Sequence, residues 1–192
     1  MAKLNADFAH MFGSDNDTVY LGLYTQELAT QLEAIDTLDK AIPTGLEDVG
    51  WLSDDGIEFS FDDSTEDIRG FQGNAVVKSY MSESTTSFTA ALLESKLQTV
   101  LNYLDAEEAS GSAEGVTRLK AKSARTAKTM CAVIDLYDTS NTKVQFRYVF
   151  PRLALGEREG LAFKNGEISA YHYTLKVLGD YYVITNAPGM KK

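Results

Sequence analysis

Ile57-Glu58-Phe59-Ser60-Phe61 opens the stretch that decides the fold, and Asp62-Asp63-Ser64-Thr65-Glu66-Asp67 comes directly after it. In the first run apolar and polar side chains alternate, the period of a strand with one face in a core and the other facing something wet. The acidic run reads as a turn, and two further strand-like runs come after it, Ala75 to Met81 and Thr85 to Leu92. The expectation is a β-hairpin with a long acidic tip over 62–70. No constellation of catalytic type lies beside it, so it reads first as a device for contacting other copies of the chain.

Working outward, Leu93, Leu97, Val100, Leu101 and Leu104 form one apolar stripe at helical spacing, and the spacing predicts a helix over 93–104 packed on a sheet. Asp105 to Gly115 is acidic, small and Gly-bearing, a surface loop. Strand patterns then succeed one another over 116–122, 129–137, 143–150, 169–178 and 181–185. The runs Asp138–Asn141 and Lys164–Gly166 supply hairpin-turn chemistry. Upstream, residues 18–24 (TVYLGLY) predict a strand. Leu28, Leu32, Ile35 and Leu38 have helical spacing, yet Pro43 and Gly45 break that spacing downstream, so a short helix and an extended segment both stay open there. Residues 1–17 read as an N-terminal arm and 18–192 as one domain. The fold class expected is mainly β (α+β): a β-sandwich or partial barrel of antiparallel strands with one packed α-helix and a long hairpin loop.

Hydrophobic residues make up 44% of the 192, ample for a core, so disorder throughout is excluded. No run of about 18 apolar residues exists to span a membrane, and the first ten residues lack the apolar stretch of a secretion signal. Cys131, alone of its kind, has no internal disulfide partner and reads as a small buried hydrophobe. The net charge of −10 is unevenly spread: residues 1–70 hold 16 Asp/Glu against 3 Lys/Arg, whereas residues 71–192 hold 12 against 15. That asymmetry suits head-to-tail association of unlike faces, and equally suits plain solubility. It argues against nucleic-acid binding, which needs a basic stripe.

Paired carboxylates occur at Asp54/Asp55, Asp62/Asp63 and Glu107/Glu108. Acid–base catalysis needs two carboxylates held across a cleft in unlike environments, whereas neighbours in a strand point to opposite faces. Asp54-Asp55-Gly56 lacks the alternating acids and the terminal Glu of a calcium loop. His10 and His172 have no second His or Cys near them in sequence to share a metal. Nucleophile-elbow, phosphate-loop and dinucleotide motifs are absent. No catalytic, cofactor-binding or metal residue is expected, and neither is an enzyme.

Four segments in order carry a resemblance: LEDVGWLSDDGIEFSFDD (46–63), DIRGFQGNAVVKSY (67–80), TTSFTAALLESKLQTVLNYL (85–104) and VFPRLALGEREGLAFKNGEISAYHYTLKVL (149–178). Over roughly residues 46–178 the chain resembles the major tail tube proteins of long-tailed bacteriophages. The resemblance implies a structural virion protein whose six copies form a ring, with rings stacked into a hollow tube that conducts the genome to the host. Partners implied are further copies of the chain and the tape-measure, tail-terminator and distal-tail proteins. DNA would pass without specific binding, and assembly would occur in the host cytoplasm without a membrane or cofactor.

On this reading Glu58, Ser60, Asp62, Lys78, Ser79 and Glu83 are candidates to line the channel. Lys78 departs from a purely acidic lining. Phe8, Phe12 and Tyr20, with Asp63, Asp67, Ile68, Arg69 and Phe71, are candidates for contact between subunits or rings. Arg69, the cation standing between Lys40 and Lys78, is expected to pair with an acid across an interface, the alternative being an ordinary solvated side chain. Two other readings stay open: the tube protein of a tailocin or contractile injection particle, and a binding or decoration β-sandwich. The last would expose aromatics on loops, whereas most Tyr and Phe here occupy alternating strand positions.

Overall fold

The computed structural model describes residues 5–111 and 113–191. Its strands are β1 (Thr18–Leu23), β2 (Glu47–Asp48), β3 (Leu52–Arg69), β4 (Val76–Leu92), β5 (Ala106–Glu108), β6 (Leu119–Ala121), β7 (Thr129–Asp138), β8 (Asn141–Leu155), β9 (Tyr171–Val177) and β10 (Tyr182–Thr185). Two α-helices, α1 (Gln26–Glu33) and α2 (Leu97–Leu104), and 3-10 turns at Ala6–Phe8 and Pro188–Met190 complete it. Eight strands make one antiparallel sheet in the order β2-β1-β7-β8-β9-β4-β3, with β10 beside β8. β5 and β6 form a separate two-stranded ribbon.

The sheet folds over its own core because β8 is long and serves two partners on one edge. Phe146 to Val149 pair with β10, and Leu153 to Leu155 pair with β9. The core that results joins Val19 and Leu21, Met130 and Ile134, Phe150 and Leu153, and Phe88 and Leu92. Phe59 from β3 lies 5.2 Å from the Tyr148 ring and 6.0 Å from that of Phe150, closing β3 over β8. Burying such aromatics is the largest single contribution to a sheet core.

β7 is buried on both faces. Met130, Ala132 and Ile134 face the main core, while Cys131 and Val133 face Leu28, Leu32 and Ile35 beneath α1. Of the two options left open by the sequence, the helix is the one formed. Thr25 caps it, its hydroxyl accepting the Leu28 amide at 3.1 Å, and Leu28, Ala29 and Leu32 point inward. Thr25→Ala should lower stability by about 1 kcal/mol, a typical N-cap loss, measured as a shift of the urea midpoint. One packed helix was expected and two are present. At Gly22 a Cβ would stand 2.1 Å from the Gly45 carbonyl oxygen, so β1 passes under the loop after α1 only because that side chain is missing.

Among the boundaries that differ from the sequence expectation are β8, which runs over Asn141–Leu155 where 143–150 was expected, β5, which forms inside the expected loop 105–115, and three more. The acidic run 62–67 is not a turn: Asp62 to Asp67 are strand, paired with Thr85 to Ser79. The runs 75–81 and 85–92 are accordingly one strand, and the turn is Phe71–Asn74, where Gly73 and Asn74 adopt positive φ. Acidic residues signal a turn only where a strand must bury one face, and this part of the hairpin buries neither. Secondly, α2 begins at Leu97, not at Leu93. The Leu93 amide instead bonds the Trp51 carbonyl at 2.9 Å and keeps the chain tied to the sheet margin. Tyr103, outside the expected stripe, is the large side chain that this helix buries. Thirdly, only Leu119–Ala121 of the expected 116–122 strand forms.

Candidate assembly surface

The β3–β4 hairpin is packed on the core only at its base. From about Asp62 outward and back to Glu83 its residues are exposed on both faces. An isolated two-stranded ribbon is marginal in water, so a ribbon this long implies a partner that covers it. β4 carries an extra residue at Ser82 and another at Val77, two bulges that sharpen the twist of the outer half.

Period-two alternation sorts the ribbon into two faces. Glu58, Ser60 and Asp62 share one face with Glu66, Ile68, Lys78, Tyr80 and Glu83, as their cross-strand pairing shows. Phe61, Asp63, Thr65 and Asp67 share the other with Ser79 and Met81. Of the six channel candidates, five therefore stand together and Ser79 stands apart, its hydroxyl donating to the Asp67 carboxylate. Neighbours in a strand cannot share a face, which separates Ser79 from Lys78. The first face continues across the body through Ser87 and Thr89 of β4 to Lys176, Thr174 and His172 of β9. Sequence reasoning missed that continuation. The alternation in β9 was visible, but its pairing with β4 was not.

At the outer end Arg69 lies 3.8 Å from Asp67 and donates to the Asn74 carbonyl at 3.2 Å. Its acidic neighbour is thus within the same hairpin. The Tyr80 hydroxyl donates to Glu66 at 2.8 Å, and that carboxylate holds the phenol above its usual pKa. Phe71 at the apex is 100% exposed, and Ile68 beside it is exposed as well.

The arm candidates are held by their own chain. Phe12 meets Phe146 edge-on at 5.5 Å, and His10 meets the same ring at 5.1 Å. His10 Nδ1 lies 2.7 Å from Asp138 Oδ2, while the Thr139 amide donates to the Met11 carbonyl at 2.8 Å. Phe8 keeps an exposed ring close to Gly189, and Tyr20 packs against the cluster beneath α1.

Ser140, through its hydroxyl and its amide, and His10 hold the Asp138 carboxyl at a pKa of about 2, below the ordinary 3.8. A depressed carboxylate contributes stability above its unfolded pKa and loses it as pH falls through the folded value. Asp138→Asn should therefore lower the thermal midpoint at pH 5–7, with the gap closing as pH falls from about 4 toward 2. A gap independent of pH would remove the charge from this account.

Among the described residues no group of three or more His, Cys, Asp or Glu could hold a metal ion, and no helix is long and apolar enough to cross a membrane. Both members of each paired carboxylate, at 54/55, 62/63 and 107/108, are exposed. The Cys131 thiol is fully buried, donates to the Pro151 carbonyl at 3.0 Å, and is pushed up to about 11 by burial. A thiol in that state is inert packing.

No curated protein matches the chain. Among solved structures it is similar to a chain of the virion of a native gene transfer agent particle, with a TM-score of 0.41 and 10% identity over 89% of this chain and 98% of that one. The decisive comparison is with a family model. That model, described as phage tail tube protein, matches residues 16–181, from the end of the arm through the ribbon to the last strands, so the chain belongs to the phage tail tube protein family, structural proteins of the virion tail.

Proposed function

We propose that copies of this chain close into hexameric rings through their sheets, and that the rings stack into the tube through which the genome is delivered. One observation carries this reading: an 18-residue strand, β3, pairs on one side only and runs outward in a ribbon exposed on both faces. An open edge of that length invites aggregation unless another copy covers it, and ring closure removes all such edges at once. The face bearing Glu58, Ser60, Asp62 and Glu83, continued by Ser87, Thr89, Thr174 and His172 and carrying the cation Lys176, would line the bore. A lining in which Glu58, Asp62 and Glu83 outnumber Lys176 and the rest is hydroxyl repels DNA phosphates on balance, so the genome slides without being held. Lys78 lies far out on the ribbon, beyond Glu83, where the inter-ring contact of Asp63, Asp67, Ile68, Arg69 and Phe71 would draw it away from an open bore. Tape-measure, tail-terminator and distal-tail proteins are the partners such a tube requires for its length and its two ends.

Electron microscopy of the purified chain over a concentration series tests this. Hollow tubes of uniform bore with six-fold class averages are expected. A closed dimer or trimer with no further growth would overturn the proposal.

A further inference from the structure

Beneath the ribbon, where β3 leaves the body, lies an open cleft of about 890 Å³. Trp51, Phe12 and Leu136 give it apolar wall, and Trp51 is 72% exposed. Asp15, Asp54 and Asp55 are exposed along it, and Asp48 and Glu94 line it as well. Lys96, the cation among the lining residues, is already committed to Glu94 at 3.3 Å and to the Asp48 carbonyl at 2.9 Å. The pair Asp54/Asp55 is thrown outward because four residues of β3, Ser53 to Gly56, stand opposite the single Ala91 of β4. The cleft is therefore an apolar floor with an acidic rim.

The far end of the same ribbon has the complementary chemistry. Beyond Asp67, which lies 3.8 Å from Arg69, the sequence holds no carboxylate until Glu83, and it carries Arg69 and Lys78. Around them Phe71, Val77, Ile68 and Val76 are exposed, Phe71 wholly so. An aromatic anchor flanked by cations suits a pocket with an aromatic wall and carboxylate rim, the anchor supplying affinity and the charges supplying register. Arg69 brought over the exposed Trp51 ring would add a cation–π contact.

The apex cannot reach the cleft of its own chain. Ile57 at the cleft and Arg69 at the outer end are separated by 12 residues of paired strand, roughly 40 Å at the rise of an extended chain, and Phe71 lies beyond that in the turn. We infer that the ribbon apex of one copy seats in the cleft at the ribbon base of a second copy, Phe71 against Trp51 and Arg69 among Asp54 and Asp55. The two surfaces differ, so the contact is heterologous and propagates from copy to copy instead of closing a two-fold dimer. This rests on the tube reading and adds the receptor surface to it.

Gln72→Cys combined with Asp15→Cys, both at exposed sites beside the contact, tests it in the full chain with Phe71, Trp51, Arg69, Asp54 and Asp55 left in place, since the native thiol is fully buried and does not compete. Oxidation of concentrated protein should give a ladder of disulfide-linked multimers. It should form roughly ten- to a hundredfold faster than with Gln72→Cys/Lys120→Cys, because docking raises the local thiol concentration. Adding Asp54→Lys and Asp55→Lys, both at exposed sites, should slow the ladder to the control rate while leaving the thermal melt unchanged. A ladder no faster than the control overturns the inference. If wild-type protein in the same buffer shows tubes or stacked rings, only the docking assignment fails. If it shows a closed dimer or trimer instead, the self-assembly reading fails with it.

Discussion

Replacing residues 65–82 with Asn-Gly should leave a folded monomer that no longer makes tubes. Ser64 and Glu83 are directly opposite each other, so a two-residue turn joins them without disturbing the register below. Every residue removed except the half-buried Gly70 is exposed and none belongs to a core cluster, so the thermal midpoint should move by no more than a few degrees. Assembly should suffer far more. Deleting one side of a standard-sized protein interface removes several kcal/mol of association energy, so the concentration needed for tubes should rise by roughly a thousandfold or more. Circular dichroism checks the fold, and sedimentation with electron microscopy checks assembly. Tubes forming at the wild-type concentration would show that the outer ribbon is dispensable.

Arg147→Met has the opposite profile, with a large loss of stability. The Arg147 guanidinium donates through Nε and one terminal nitrogen to the two oxygens of Asp135, both at 2.7 Å, and through the other to the Lys40 carbonyl at 2.7 Å. Both side chains are only 6% exposed. Asp135 raises the guanidinium pKa further, so the arginine stays charged at any pH the protein meets. Removing it strands a buried carboxylate, a loss of about 3–5 kcal/mol. For a chain of this size that is about 10 °C in Tm. The double variant Arg147→Met/Asp135→Leu should recover most of the loss, because no unpaired charge is then left inside. Urea unfolding of wild type, both single variants and the double closes the cycle. A cost below about 1 kcal/mol for Arg147→Met would mean that water reaches the pair.

The same arginine marks one limit of reading the strand pattern. In 143–150 the alternation puts Arg147 with Gln145 on the polar side, the side that α1 and the loop through Lys40 come to cover. Alternation gives the face of a side chain and not the element laid over that face. The ribbon marks another limit. Sequence rules take serine, threonine and aspartate to end a strand, because they assume that a strand has a dry side. Here the pairing of backbone groups continues from Asp62 to Arg69 with neither side dry.

Residue order was enough to establish that the chain is mainly β, that its strands begin near Thr18, Thr129 and Tyr171, and that Cys131 is packing. It was also enough to show that the ordered motifs are those of a tail tube protein. Each of these rests on local periodicity or on the succession of segments, both written along the chain. Folding in three dimensions was needed to make the acidic run a strand, to bring Lys78 and Glu83 onto one face through the bulge at Ser82, and to extend the polar face of β4 through β9. It was needed too to bring Asp54 and Asp55 beside Trp51 and to set Arg147 on Asp135. Those facts depend on which strand pairs with which and in what register, a choice made by burial summed over segments far apart in sequence.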